Sequence, residues 1–389
     1  MRGSVRRRGQ HSWRLVFDLD RDATGKRRQK VITFKGSKRA AQAELSRILA
    51  EIENGGFIEP STLTIAVYLD RWLETVGQTT STKTFERYSE ICRNHLAPAL
   101  GSIKLQKLKP LHIQEAYTGF LKSGRRDGNG GLSPQTVLHH HRVFKKALKQ
   151  AVRWQLINTN PADAVEPPRV SRKEVKFLDM AETATLLKAT EGRTIYPIVL
   201  LAVTTGMRRG EVLGLRWKDL DLDNGYLQVS QTLEQTRMRG LQAKEPKSRA
   251  SQRRISLPPI TVHALRRHMT ERSEIFLRLG VGRRNDGLVF LTPEGKPRSP
   301  RALTKEFDRL VRRLDIPRIT FHGLRHTHIT HLLMDGEPIK VVSERAGHAS
   351  VSITLDVYGH VLPDRQEALA ANYGIGLLKA LAEHGSNEG

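Results

Sequence analysis

The sequence predicts a mainly α-helical protein of several domains. A small β-sheet-plus-helix module comes first, a helical domain second, and a mixed, mostly α domain with a small antiparallel sheet third. Three observations support this prediction. The chain has 389 residues, more than a single domain usually holds. From residue 61 onward most apolar residues recur at helical spacing. Near the N-terminus they alternate with polar residues instead, as in half-buried strands.

The first 58 residues form the β-sheet-plus-helix module. "SWRLVFDLD" alternates apolar and polar residues and predicts a strand, "KVITF" predicts a second, and "GSVRRRG" is a candidate third. Ser37 is placed to cap the helix "KRAAQAELSRILAEIE", and the pair Gly55-Gly56 ends it. The strands carry many Lys and Arg residues. Such a basic face suits a DNA groove, and a solvated basic sheet is the alternative.

Residues 61–160 predict a helical domain. Four segments have 3.6-residue spacing, and Ser133-Pro134 has the cap-plus-proline pattern of a helix start. In the last of these helices His139, His140 and His141 are consecutive, so a helix spreads them around its axis; we expect surface or DNA-facing polar residues rather than a ligand set. The proline-rich stretch "NTNPADAVEPPRVSRKE" then breaks the pattern and predicts an interdomain linker.

The third domain begins near residue 175. Helical spacing recurs in "AETATLLKAT", "YPIVLLAVTTG", "VHALRRHMTERSEIFLRLG" and "RALTKEFDRLVRRLD", and "GYLQVS" and "RRISLP" are strand candidates between the second and third of these. The final stretch, "RQEALAANYGIGLLKALAEHG", is amphipathic. It would suit packing either on its own domain or on a neighbouring subunit.

Charge and cysteine content narrow the function classes. Sixty-five Lys and Arg against 40 Asp and Glu give a net charge of +25, which favours a polyanionic partner, most often nucleic acid. The charge spreads over the whole chain, which disfavours a membrane surface. A single cysteine, Cys92, excludes an internal disulfide framework and multi-cysteine zinc sites. No apolar run is long enough to span a bilayer, and the basic N-terminus lacks the apolar stretch of a secretory signal, so we expect a cytoplasmic protein.

Four short segments of the third domain carry the residues suited to chemistry. "TTGMRRGEVLGLRW" holds Arg208 and Glu211, "EPKSRASQRRISLP" holds Lys247, "HGLRHTHITH" holds four histidines and an arginine, and "AGHASVSITLDVYGH" holds His348 and Tyr358. Each residue alone has an ordinary structural reading. Together, cations and a hydroxyl nucleophile without an acid cluster are suited to a phosphodiester and need no metal.

The histidine-rich segment raises the question of a metal site. On a helix at about 100° per residue, His322, Arg325 and His326 share one face, whereas His328 and His331 lie on the other. A structural zinc site needs four ligands and a catalytic one three plus water. Since Arg325 between the two remaining histidines repels a cation and attracts a phosphate, we expect no metal here. His328 and His331 are then packing or capping residues.

The four segments, in this order, resemble the tyrosine recombinase, or phage integrase, family over essentially the whole chain. The motifs are "TGMRRGE", "PKSRASQRRISLP", "HGLRHT" and "AGHASVSITLDVY". Ala346 departs from the family pattern, in which a leucine commonly precedes the Gly-His pair. The resemblance implies an arm-type DNA-binding module at 1–58, a helical core-site DNA-binding domain at 61–160, a linker at 161–174, a catalytic domain at 175–365 and a helical tail at 366–389.

The resemblance also implies a catalytic set. Its six members are Arg208, Lys247, His322, Arg325, His348 and Tyr358. Tyr358 would attack the scissile phosphate and form a 3′-phosphotyrosyl link, while Arg208 and Arg325 hold the non-bridging oxygens. Lys247 would protonate the departing 5′-hydroxyl, and Lys244 is the alternative.

Histidines and one acid would support this set. His348 would add a hydrogen bond to the phosphate, and His322 would assist proton transfer. Glu211 is expected to orient Arg208 or a neighbouring histidine, and His326 to back the residues that touch the phosphate.

The resemblance implies a recombinase that needs no cofactor and acts as a tetramer through a Holliday junction. Its expected partners are double-stranded DNA at core and arm sites, other copies of the chain, and accessory DNA-bending or directionality proteins. Integration or excision of a mobile element is the expected outcome. The alternatives are a topoisomerase-like nicking-closing enzyme and a non-enzymatic DNA-binding regulator on the same scaffold.

Overall fold

A computed structural model describes residues 3–19, 25, 28–54, 56–171, 175–245, 252–278, 287–359 and 366–385. The chain divides into two compact units, Met1–Ser171 and Arg172–Gly389. The mainly α, multidomain class with small antiparallel sheets is confirmed. The limits of the individual domains stay a prediction. Lys247 lies outside the described residues.

The N-terminal module is an antiparallel three-stranded sheet covered on one face by a helix. Its elements are β1 (Gly3–Gly9), β2 (Ser12–Leu19), β3 (Arg28–Lys35) and α1 (Lys38–Glu53), with strand order β1-β2-β3. Leu15 and Phe17 of β2 are buried with the apolar stripe of α1, as strand alternation requires. Arg14, the residue before Leu15, points to the other face; it is exposed and pairs with Arg6 of β1, so that face carries basic side chains.

The rest of the first unit is helical and has a separate core. Its helices are α2 (Ile65–Thr79), α3 (Thr82–Ile91), α4 (Ala97–Leu100), α5 (Pro110–Ser123) and α6 (Pro134–Arg153). The hydroxyl of Tyr68 donates to the carbonyl of Ala147 at 2.5 Å and joins α2 to α6 inside this core. A π-helical turn, Cys92–Leu96, separates α3 from α4. Pro98 lies two residues after this turn, and because it has no N–H it cannot donate a regular helical hydrogen bond back into the turn.

The expectation for the three consecutive histidines was wrong for two of them. His139 is exposed, but His140 and His141 are buried. The ring of His140 packs on His95, with centroids 4.6 Å apart, and burial lowers its pKa to about 3. His141 Nδ1 lies 3.3 Å from the hydroxyl of Tyr117. Both rings are neutral core groups here, a role that helical periodicity alone could not distinguish from a polar surface.

The second unit surrounds a larger apolar core. Its helices are α7 (Met180–Thr190), α8 (Tyr196–Thr205), α9 (Arg209–Gly214), α10 (Pro259–Arg278), α11 (Pro300–Val311), α12 (Gly323–Met334), α13 (Ile339–Ala346), α14 (Val351–Tyr358) and α15 (Gln366–Gly385). Its strands are β4 (Leu220–Asp221), β5 (Tyr226–Val229), β6 (Thr232–Thr236), β7 (Gly240–Lys244) and β8 (Arg253–Ser256). They form the antiparallel sheet β4-β5-β8 and the hairpin β6-β7.

Helix α12 lies at the centre of this unit and packs against α8 and α13. The side chain of His331 lies 2.8 Å from the carbonyl of Leu178, and Thr327 accepts the N–H of the same residue at 3.1 Å. These two bonds fix the entry to α7 against α12. His331 is thus a structural residue, as its position on the helix predicts.

The last helix, α15, exposes its apolar side chains. Tyr373, Leu377, Leu378 and Leu381 all have more than half of their surface accessible. No helix in the described ranges combines the length and apolar character needed to cross a membrane.

Candidate active site

Arg208 lies where α8 ends and α9 begins. Gly206 ends α8 in the left-handed conformation, φ 65°, and a Cβ there would lie 2.7 Å from the ring of His328. This turn places Arg208 at the N-cap of α9, with its side chain 38% exposed. Arg209, the next residue in the "MRRGE" motif, hydrogen-bonds to Thr304 instead. Arg208 is therefore the arginine that this turn directs toward the segment around Gly347, whose carbonyl it reaches at 2.7 Å.

Glu211 joins two arginines. It accepts from Arg208 at 2.8 Å and from Arg253 at 2.9 Å, and only 5% of its side chain is exposed. Burial favours the neutral acid, but the hydrogen bonds and charges of Arg253 and Arg208 outweigh it and hold the pKa of Glu211 below its usual value. Glu211 thus binds Arg208, the residue that the sequence analysis names as one of its possible partners, and also a second arginine that the sequence did not single out; its orienting role stays a prediction.

Arg253 was missed because its partners are remote in sequence. It begins β8, where it is buried like Ile255 two residues later, and its Nε donates to the carbonyl of Arg345 at 2.7 Å. An arginine at an inward position of a strand requires an acid partner, since an unpaired buried charge is costly. That positional signal was available in "RRISLP"; the identity of the acid was not.

Arg325 connects the two segments that flank the site. Its Nη1 donates to the carbonyls of Gly206 and Ala346, at 2.8 and 2.6 Å, and the residue is 3% exposed. Burial and the nearby charge of Arg208 lower its pKa to about 10, so it is cationic at neutral pH. Two arginines thus lie close enough to repel each other, an arrangement that favours an anion between them.

His348 follows Gly347, which ends α13 with φ 69°. Its Nδ1 lies 2.8 Å from the hydroxyl of Thr354 on α14. Burial and the charges of Arg325 and Arg208 lower its pKa to about 4, so the ring is neutral. When Thr354 donates to Nδ1, the other ring nitrogen carries the proton and is a hydrogen-bond donor.

Tyr358 is the last residue of α14 and is 1% exposed. Its hydroxyl lies 2.6 Å from Nδ1 of His326. Burial raises the pKa of the phenol to about 12, and the charge of Arg325 works in the opposite direction. In this structure the candidate nucleophile is a neutral phenol that is hydrogen-bonded to a histidine.

His322, at the start of α12, is exposed, and its ring packs edge-on against that of His326 with centroids 4.9 Å apart. Partial loss of solvent and the charges of Arg325 and Arg208 lower its pKa. His328 accepts from Arg345 at 3.0 Å, and burial lowers its pKa to about 3. The structure therefore brings Arg208, His322, Arg325, His326, His348 and Tyr358 together, and gives His328 a structural role.

The candidate lysines differ in what the structure describes. Lys247 lies outside the described residues. Lys244 ends β7 and forms an ion pair with Glu234 across the β6-β7 hairpin. Within the described ranges no group of three or more His, Cys, Asp or Glu side chains is arranged to hold a metal ion.

Replacing Glu211 by glutamine is expected to lower the free energy of unfolding by about 3 kcal/mol, because Arg253 would stay buried without its counter-charge. The measurement is the free energy of unfolding of the second unit, determined by urea denaturation at neutral pH. The pKa of Glu211 is lower in the folded than in the unfolded protein. Its contribution to stability is therefore complete above the pKa of the unfolded state and is lost as the pH falls through the pKa of the folded state.

The control is Asp308→Asn, which removes surface ion pairs with Arg312 and Arg318 and should lower the stability far less than E211Q does. Equal losses in the two variants would contradict the assignment of Glu211 as a buried bridge.

Two family models match the chain. The phage integrase family matches residues 176–365, and the phage integrase N-terminal SAM-like domain matches residues 64–121. A "Tyrosine recombinase XerC-like" protein of Caldanaerobacter subterraneus is 28% identical over 92% of this chain and 94% of its own length. The ICEBs1 integrase of Bacillus subtilis is 26% identical over 74% of this chain and 76% of its own.

Solved structures show the same fold. The Tn1549 transposon integrase, solved with a circular intermediate DNA, covers 80% of this chain and 99% of its own with TM-score 0.68 and 23% identity. Lambda integrase, solved as a tetramer on a Holliday junction, covers 91% of this chain and 93% of its own with TM-score 0.55 and 19% identity. Matches at both family domains, with a relative aligned over nearly the full length, establish that the chain belongs to the phage integrase family, the tyrosine recombinases.

Proposed function

We propose that this protein is a site-specific DNA recombinase that integrates or excises a mobile element by cleaving and rejoining DNA through a 3′-phosphotyrosyl intermediate. One observation carries the proposal. A tyrosine, two arginines and a neutral histidine from three of the four motif segments lie together in one site, and both arginines are held by backbone carbonyls. This arrangement is suited to a phosphodiester and supplies its own nucleophile.

The proposed step begins with attack of the Tyr358 oxygen on the scissile phosphorus. The new P–O bond to tyrosine forms as the P–O5′ bond breaks, and the phenolic proton is released. Arg208 and Arg325 stabilise the charge that builds on the non-bridging oxygens, and the Nε2–H of His348 donates to one of them. Lys247 supplies the proton for the 5′-hydroxyl, and His322 assists proton transfer near the phosphate. Attack by a 5′-hydroxyl on the phosphotyrosine reverses the step on a new strand.

The first unit is proposed to bind DNA. The basic outer face of the β1-β2-β3 sheet, with Arg6 paired to Arg14, is suited to an arm site, and the helical domain to the core site. The net charge of +25 supports a large contribution from phosphate contacts, so affinity should fall steeply with salt.

Recombination joins two sites, and we propose a homotetramer acting through a Holliday junction. The exposed apolar side chains of α15 support contact with a neighbouring copy, because such a surface is unfavourable in water. Accessory DNA-bending or directionality proteins would complete the assembly in the cytoplasm.

The test is recombination between two DNA fragments taken from either side of the gene that encodes this chain. We expect joined products and a covalent protein–DNA adduct on a nicked suicide substrate. Relaxation of supercoiled DNA without joined products would indicate a topoisomerase-like enzyme. DNA binding without any adduct would indicate a non-enzymatic regulator.

A further inference from the structure

We propose that His326 is a catalytic residue that accepts the proton of Tyr358 as the phenol attacks the scissile phosphate. The inference rests on the proposed function and deepens it, because it assigns the proton that the nucleophile must lose. The sequence suggested only a backing role for this histidine.

The geometry supports direct proton transfer. Nδ1 of His326 lies 2.6 Å from the phenolic oxygen, within the range of a strong hydrogen bond, and the ring centroids are 5.6 Å apart. Tyr358 is almost fully buried, so bulk water has little access to the hydroxyl in this arrangement. Within the described residues the hydrogen bond to the phenol is made by His326, not by its neighbour His322.

Helix α12 explains how one segment serves both the phosphate and the nucleophile. Arg325 and His326 are adjacent, so their side chains leave the helix about 100° apart. Arg325 reaches the carbonyls of Gly206 and Ala346, whereas His326 reaches Tyr358 on α14. The cation for the phosphate and the acceptor for the phenolic proton are therefore held by the same rigid element.

The protonation state agrees with an acceptor role. Burial, followed by the charges of His322 and Arg325, lowers the pKa of His326 to about 4, so its ring is neutral at physiological pH. His348, also neutral, lies close enough to interact electrostatically with it. A neutral imidazole that accepts at Nδ1 carries its own proton on Nε2.

DNA binding should make His326 a better proton acceptor. A phosphate between the arginines offsets the charge of Arg325, one of the groups that disfavour a positive His326. The phenol also becomes more acidic as its oxygen bonds to phosphorus. The Tyr O–H bond breaks, the new N–H bond forms on His326 Nδ1, and the resulting imidazolium stays beside a phosphate anion. The proton returns to the phenol when the phosphotyrosine is resolved.

The experiment compares His326→Asn with the wild type in the full chain, using single-turnover adduct formation on a nicked suicide substrate. An asparagine places an amide oxygen near the position of Nδ1, so it can accept a hydrogen bond but cannot take a proton. General-base catalysis contributes about 10²–10⁴-fold, and we expect H326N to lose at least about 10²-fold in cleavage rate. A fluorotyrosine at position 358, whose phenol is more acidic, should restore much of the loss.

Rescue by fluorotyrosine separates proton transfer from a structural role. The matched control is His331→Asn on the same helix, where the histidine contacts a backbone carbonyl instead of the phenol. H331N is expected to lower stability without gaining from fluorotyrosine. A wild-type rate for H326N, or a slow folded H326N that fluorotyrosine does not improve, overturns the inference.

If H326N does not fold, the pH dependence of the cleavage rate is compared between the wild type and the protein that carries fluorotyrosine at position 358. The cleavage rate of the fluorotyrosine protein should depend less on pH, and identical pH profiles overturn the inference. Absence of an adduct in the wild type itself overturns the proposed function, and the inference with it. The failure of His326 alone is thereby distinguished from failure of the whole reaction.

Discussion

Replacing Tyr358 by phenylalanine is expected to abolish covalent attachment of the protein to DNA while DNA binding persists. The variant lacks the oxygen that forms the bond to phosphorus, and the structure places no other phenol against Arg325 and His326 in the described residues. The measurement is denaturing electrophoresis of the protein with a nicked suicide substrate, alongside a binding assay with the same duplex. The expected loss of adduct is complete rather than partial.

The substitution also removes a buried hydrogen bond. Nδ1 of His326 would lose its partner, at a cost of about 1–3 kcal/mol. Thermal unfolding should therefore accompany the assay, so that loss of the adduct is measured on folded protein. The control is Tyr226→Phe on β5, which removes a hydroxyl that bonds to Asp221 in the same unit and should leave adduct formation intact. An adduct that persists in Y358F would contradict the assignment of the nucleophile.

Periodicity predicted the parts of the site that depend on one helix. The angular positions of His322, Arg325 and His326 on α12 separated the site face from the structural face that holds His328 and His331. That separation follows from local geometry, since successive side chains on a helix differ by a fixed rotation. The strands around Tyr226 and Arg253 were also predicted from a local sequence pattern.

Contacts between remote segments were not predictable in this way. Glu211 and Arg253 are 42 residues apart, and Arg345 is 17 residues from His328, so neither pairing leaves a periodic signal. The burial of His140 likewise depends on His95, a residue of another helical segment. Residues that could form a buried polar pair can be identified in the sequence, but which of them are paired depends on the tertiary packing.

Replacing Arg325 by lysine is expected to lower the cleavage rate by at least about 10²–10³-fold, the usual effect of removing one donor to a developing oxyanion. The guanidinium has a planar set of five N–H donors. Nη1 binds the carbonyls of Gly206 and Ala346, which leaves donors on the other nitrogens for a phosphate. A lysine ammonium has three donors around one atom, so it cannot span both carbonyls and the phosphate together.

Arg325 supplies a positive charge and also holds two backbone segments in place through these carbonyls. Gly206 precedes Arg208 by two residues, and Ala346 precedes His348 by two, so the guanidinium holds both segments whose side chains are proposed to bind the phosphate. R325K should therefore misplace Arg208 and His348 in addition to losing its own contact. We expect a loss in cleavage rate larger than the loss in DNA affinity, because the remaining basic surface still binds the DNA backbone.

A matched substitution separates this effect from a general loss of stability. Arg345 also donates to two backbone carbonyls, those of Thr204 and Ser256, but its third partner is His328 rather than the proposed phosphate. R345K should lose comparable stability and, at a temperature where it is folded, retain most of its cleavage rate. If both variants lose rate in proportion to their stability, Arg325 acts as a structural tie. If R325K alone loses rate at equal stability, its free donors act on the transition state, because that is the feature that the two arginines do not share.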